Sequence, residues 1–240
     1  MKTLIALILL GSTILANATP KQVRVFVALC DNKTQGIVPV GQKIGNGDDP
    51  DANLYWGCSD GLGAYFPKSG RWKVLKSEKD LTPTILRRLH LSHAQGDMEL
   101  IAEAYRGADM QQCVKDFEIA AASGKFDLVA FIGHNGLMDF KLPPPPAVEG
   151  NQTEVVVLCC LSENYFGDRL RLLGCRPVLM TQQLMYPGSF LLHAAIESSR
   201  KGGTAEDLRA AAAAAYSKNQ KIAVRAALGV FAPLKPQAEP

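Results

Sequence analysis

Two short stretches of the chain hold side chains suited to nucleophilic chemistry. Phe126 to Ile132 is an almost unbroken apolar run that stops at Gly133-His134-Asn135-Gly136. Val155 to Leu158 is a second run, closed by Cys159-Cys160. Such runs, bounded by turn signals, read as strands covered on both faces of a parallel sheet. In open parallel sheets, ligands bind at the carboxyl ends of strands, near the point where strand order reverses. If the two runs are neighbouring strands, an imidazole and a thiol leave the sheet side by side on one rim. The imidazole then stabilises a thiolate and can hand the proton to a leaving group. Successive strand residues point to opposite faces, so only one of Cys159 and Cys160 readily faces that site. The backbone N–H groups of the turn Asn135-Gly136 are candidates to stabilise an oxyanion. Each residue also has an ordinary reading: a cysteine at a strand end is often a small packed hydrophobe, and a histidine in a glycine turn is often only a loop residue.

Strands and helices alternate around these two runs. Val23 to Leu29 reads as the first strand and Met98 to Tyr105 as a later one. The clearest helix opens at Asp109 and closes near Gly124, with Met110, Cys113, Val114, Phe117 and Ala121 on one face. Phe166 to Leu173 is a short helix ended by Gly174, followed by a strand at Pro177 to Thr181. Ser189 to Arg200 is a helix stopped by Gly202-Gly203, and Thr204 with Asp207 forms a capping box for an Ala-rich helix through Tyr216. Trp72 to Leu75 reads as a short strand with a charged segment behind it through Asp80. Thr82 to His93 is spaced like a helix but poorly punctuated. Gly41 to Asp60, rich in Gly, Asp, Asn and Pro, reads as a long surface loop, with Tyr55-Trp56-Gly57 and Met185-Tyr186-Pro187-Gly188 as candidate rim loops. Alternation of this kind implies an α/β three-layer sandwich with a mainly parallel sheet.

The order apolar strand, His134, glycine turn, apolar strand, Cys resembles the caspase-like cysteine peptidases of clan CD, which include caspases, gingipains, legumains, separases and the CHAT domains. Val157-Leu-Cys-Cys-Leu-Ser162, Arg171-Leu-Leu-Gly174, Pro177 to Thr181 and Thr204-Ala-Glu-Asp-Leu-Arg-Ala-Ala211 are similar to the elements that come after a CHAT-domain cysteine. The resemblance covers roughly the second half of the chain. It implies a caspase-like fold with flavodoxin-like strand order, His134 as catalytic imidazole and Cys160 as nucleophile, with Cys159 as the alternative. Cys160 is preferred because Ser162 then stands where many relatives place a small residue after the nucleophile. The family has Gly directly after the His, whereas here Asn135 intervenes and Gly136 comes second; Asn tolerates the left-handed turn that position implies.

Met1-Lys2, the apolar run Leu4 to Leu10 and Ala16-Asn17-Ala18 have the form of a cleavable export signal. Residues 1–18 are therefore expected to be removed after Ala18, leaving 19–240 as one domain in a secreted or periplasmic protein. The run is too short for a permanent membrane span, so no stable membrane anchor is expected. Hydrophobic content of 47% and charged content of 20% fit a globular protein. The net charge of +3 is scattered, which argues against a nucleic-acid partner. The six cysteines show no C-x-x-C and no paired Cys/His spacing, so neither a structural zinc nor any other cofactor is expected. Asp48-Asp49-Pro50-Asp51-Ala52-Asn53 opens like a calcium loop, but Leu54 stands where the turn needs Gly, and a solvated loop is the better reading. Asn32-Lys33-Thr34 and Asn151-Gln152-Thr153 are sequons. His193 reads as helix packing, and His90 and His93 have no evident partners.

The leading expectation is an exported cysteine endopeptidase that acts on a peptide or protein substrate through Cys160 and His134. The alternatives are a non-catalytic exported binding domain on the same scaffold and a redox or vicinal-disulfide role for Cys159-Cys160.

Overall fold

Period-two burial runs through every central strand and splits their side chains between two cores. In β1 (Lys21–Ala28), Val23, Val25 and Val27 enter one core, and Phe26 and Ala28 the other. In β5 (Leu128–Ile132) and β6 (Glu154–Leu158), Leu128, Ala130, Ile132, Val156 and Leu158 face the first core; Val129, Phe131, Val155 and Val157 face the second. The computed structural model describes residues 19–36 and 38–234. The expected export signal at 1–18 lies outside them, as does the tail beyond Leu234.

With β2 (Trp72–Lys79), β3 (Ile85–His93), β4 (Met98–Tyr105) and β7 (Arg176–Leu179), the strands form one seven-stranded sheet in the order β2-β3-β4-β1-β5-β6-β7. Strands β4, β1, β5, β6 and β7 are parallel, and β2 and β3 run antiparallel at one edge. Numbered along the chain, the five parallel strands lie in a second-first-third-fourth-fifth order, which reverses between β1 and β5.

Helices cover both faces. On the first pack α1 (Leu62–Lys68), α4 (Ser189–Arg200) and α5 (Ala205–Gln220), with the short α6 (Val224–Leu228) against them. On the second pack α2 (Met110–Ala122) and α3 (Ser162–Leu172). The α/β sandwich expected from the alternation is present. Phe117 of α2, Phe131 of β5 and Phe166 of α3 are fully buried, with ring centroids 5.8–6.1 Å apart. Each such ring contributes about 1.5–3 kcal/mol by leaving water, and together they seat both helices beneath the ends of β5 and β6. No described helix is long and apolar enough to cross a membrane.

Three local expectations are corrected. From Ile85 on, the helix-like segment at 82–93 is the strand β3. A bulge between Ile85 and Arg87 opposes two residues of β3 to one of β4, so buried Leu86 and Leu89 stand three apart and imitate helical spacing. The strand expected to end at Leu75 runs through the charged segment to Lys79. It is an edge strand whose middle is exposed, so apolar content does not mark it. Asp109 makes no side-chain cap; a 3-10 turn, Gly107–Asp109, leads into α2 instead. The Thr204–Asp207 capping box ahead of α5 is formed as expected.

Candidate functional site

Strands β5 and β6 are direct parallel neighbours, and their last paired residues are Ile132 and Leu158. Both of those side chains enter the first core. Gly133 extends the ladder, its N–H donating to Leu158 O at 3.2 Å. Past that pair the chain leaves both strands, and His134 and Cys160 each stand two residues beyond the last paired position, in adjoining turns. The two loops are tied there: Asn135 Nδ2 donates to Cys160 O at 2.6 Å.

Of the two thiols, Cys159 is fully buried in the second core, and Cys160 is half-buried at the rim. Burial pushes the Cys159 thiol well above its ordinary range, and the adjacent Cys160 adds to the shift. Cys160 Sγ lies against Met185, donating to its carbonyl at 3.6 Å and accepting its N–H at 3.3 Å. No hydrogen bond joins His134 to either thiol among the described residues. No disulfide links any of the six cysteines, all of which are described.

The turn behind Cys160 is held in an uncommon backbone shape. Leu161 has φ +53°, a left-handed conformation that costs an L-residue about 1–2 kcal/mol. Side chains from α3 and from the segment after β7 brace it. Ser162 Oγ donates to Val157 O at 2.9 Å, Thr181 N–H donates to Ser162 Oγ at 2.8 Å, and Thr181 Oγ1 donates to Cys159 O. Leu161 N–H is taken by Gln183 O at 3.1 Å. Strain held by its surroundings is typical of functional turns.

His134 is 7% exposed, and its Nε2 lies 2.8 Å from Asp139 Oδ2. The same carboxylate oxygen accepts Gly36 N–H at 2.9 Å, from the loop after β1. Asn135 is fully buried with φ −79°, so the left-handed turn expected there is absent. Its role is that of a strut: Oδ1 accepts Leu137 N–H at 3.2 Å while Nδ2 reaches Cys160 O. Gly136 lies at a close approach of side chains. A Cβ there would fall 2.6 Å from Met110 Sδ and 2.7 Å from the Phe140 ring. The N–H groups of Asn135, Gly136 and Cys160 have no protein acceptor among the described residues.

The surrounding rim is aromatic. Tyr55 is buried, and burial pushes its phenol well above the ordinary range; charge on Cys30, Cys160 and Tyr186 acts in the same direction. Burial and the Asp60 carboxylate likewise push Tyr186 up. Both aromatic rim loops singled out in the sequence therefore reach the thiol region.

The acidic segment serves the fold. Asp51 makes a two-pronged ion pair with Arg87 (3.0 and 2.9 Å), which holds its carboxyl below the usual range, and Asp48 pairs with Arg106. No cluster of three or more His, Cys, Asp or Glu able to hold a metal occurs among the described residues. His93 has partners after all, with Glu197 at 3.0 Å on Nε2, and His90 meets Glu78 at 3.2 Å. His193 lies edge-on to Tyr65 and Phe66, and burial holds its imidazole below the ordinary range. Asn151 of the second sequon is buried, its amide given to Ala121 O and Leu173 O. A polar cavity of about 410 Å³ opens at the amino ends of the strands, at the opposite end of the sheet from Cys160 and His134.

Burial predicts which thiols react. Iodoacetamide applied to the folded protein is expected to modify Cys58 and Cys160 and to spare Cys30, Cys113, Cys159 and Cys175, as read by peptide mapping. Burial pushes the thiols of Cys30 and Cys175 up to about 11, with Asp31 adding to the first, so few of their thiolates exist at neutral pH. Modification of Cys159 with Cys160 spared would contradict the assignment of faces.

Comparison of the chain with protein-family models, with curated proteins and with solved structures found no match.

Proposed function

We propose that this chain is an exported cysteine endopeptidase on a caspase-like scaffold, with Cys160 as nucleophile and His134 as its base. The observation that carries the reading is the direct pairing of β5 with β6, whose carboxyl ends lead into His134 and Cys160. The Asn135 strut ties the two turns together, and Cys160 is the less buried of the two thiols there.

For catalysis the Cys160 side chain turns from Met185 toward the imidazole. The Sγ–H bond breaks as its proton passes to His134, and sulfur bonds to the peptide carbonyl carbon. The N–H groups of Cys160, Asn135 and Gly136 are free to stabilise the oxyanion. As the C–N bond breaks, the imidazolium returns the proton to the leaving amine. Water then cleaves the thioester, giving one proton to the same ring and restoring the thiol. Every step uses groups of this chain, peptide and water.

A second reading has an observation in its favour. The thiol is clamped by Met185, as fits a non-catalytic binding domain. A set of peptidyl chloromethyl ketones separates the two. The peptidase is expected to gain one adduct, mapped to Cys160, at a rate that falls at least about tenfold in His134→Ala. Labelling no faster than that of a small alkylating agent, and indifferent to His134, would overturn the peptidase reading.

A further inference from the structure

We propose that Asp139 is the positioning residue of this site: it holds the proton of neutral His134 on Nε2 and so leaves Nδ1 free to act as the base. The inference rests on the Cys160–His134 reading for its consequence but on separate geometry for its substance. A carboxylate can only accept, so the imidazole nitrogen 2.8 Å from Asp139 Oδ2 must carry the hydrogen. Nδ1 has no protein hydrogen-bond partner among the described residues and therefore holds the free lone pair. Which ring nitrogen is protonated is set by the bond the other makes.

Asp139 is itself held through both its backbone and its carboxylate. Asp139 caps the 3-10 turn Gly136–Met138, its N–H donating to Gly136 O at 2.9 Å. From the loop after β1, Gly36 N–H donates to Oδ2 at 2.9 Å. Gly36 can approach only because it has no side chain: a Cβ there would fall within clashing distance of Asp139 Oδ1. One oxygen thus joins the loops that come after β1 and β5, on either side of the point where strand order reverses. With the ring so held, Nδ1 takes the Cys160 proton, and the resulting imidazolium keeps its Nε2–H on Asp139 as a charge-assisted bond. After C–N cleavage the Nδ1 proton leaves with the amine, and Nε2 never exchanges its partner.

The test reads the ring directly and the activity separately. Long-range ¹⁵N–¹H NMR of histidine-labelled protein is expected to show His134 as the Nε2–H tautomer in the wild type. A mixture of tautomers is expected in Asp139→Ala, and in Asp139→Asn, whose amide can accept or donate. Hydrolysis of a peptide library by Asp139→Ala should fall about 10²–10⁴-fold in kcat/KM. Added formate, a small carboxylate, should restore it at least about tenfold in that variant, with no gain in His134→Ala. An Nδ1–H tautomer in the wild type, or a tautomer unchanged in both Asp139 variants, overturns the proposal. If the tautomer moves as expected while no form of the protein cleaves peptides, the Asp139 assignment stands and the peptidase reading falls.

Discussion

Cys160→Ala is expected to lower kcat/KM for peptide hydrolysis by about 10³-fold or more, and His134→Ala by about 10²–10⁴-fold. The two act as one device, so the double variant should lose little more than the worse single. Cys160→Ala should not disturb the fold strongly. Cys160 is half-buried at the rim, and the strut that joins the two loops reaches its backbone carbonyl, which alanine keeps. Cys159→Ala is the matching control. Its side chain lies in the second core beneath the rim, so it should keep hydrolysis near the wild-type rate and lose about 1 kcal/mol of stability. Steady-state kinetics with a cleaved peptide, beside denaturation curves of each variant, read both. Loss of hydrolysis in Cys159→Ala with Cys160→Ala active would exchange the roles of the two thiols.

The largest stability effect is expected at Asn53. It is fully buried; Oδ1 accepts Cys30 N–H at 3.0 Å and Tyr55 N–H at 3.1 Å, and Nδ2 donates to Cys30 O at 2.8 Å and Asn46 O at 3.0 Å. This one amide closes the carboxyl end of β1 and seats the loop that carries Tyr55. Asn53→Ala leaves two backbone groups of fully buried Cys30 without partners. At about 1–3 kcal/mol for each orphaned group, a loss of about 2–6 kcal/mol is expected. Asp51→Ala, two residues away, removes an ion pair whose carboxylate is 60% exposed and should cost about 0–1 kcal/mol. Urea denaturation midpoints compare them, and equal shifts would contradict the strut.

The same contrast between buried and exposed groups decides what is legible in the sequence. Helix α2 and strands β1, β4, β5 and β6 are marked by apolar periodicity, because each is covered on the face or faces that the pattern demands. Strand β3 is hidden by its bulge, which converts period two into an apparent three. Strand β2 is hidden by exposure, since an edge strand with lysines along it needs no apolar signature. At the site, His134 and the Cys159-Cys160 pair are legible because they end apolar runs, and the alternation of side chains separates the thiols. Asp139 is not legible. A carboxylate five residues beyond a histidine meets it only through the 3-10 turn between them, and no spacing rule encodes that turn. Asn135 misleads for a related reason: residue type advertises its backbone tolerance, while its side chain carries the link to Cys160. Asn53 sits inside an acidic run that draws attention to carboxylates, although the neutral amide is the buried member.

Whether Cys160 and His134 form a hydrolytic pair is tested most directly by digesting a peptide library and reading the products by mass spectrometry. Wild type, Cys160→Ala and His134→Ala are compared under reducing conditions. Discrete cleavage sites are expected with the wild type, and their disappearance in both variants. Cleavage that persists unchanged in either variant, or a library left intact by the wild type, would contradict the pair.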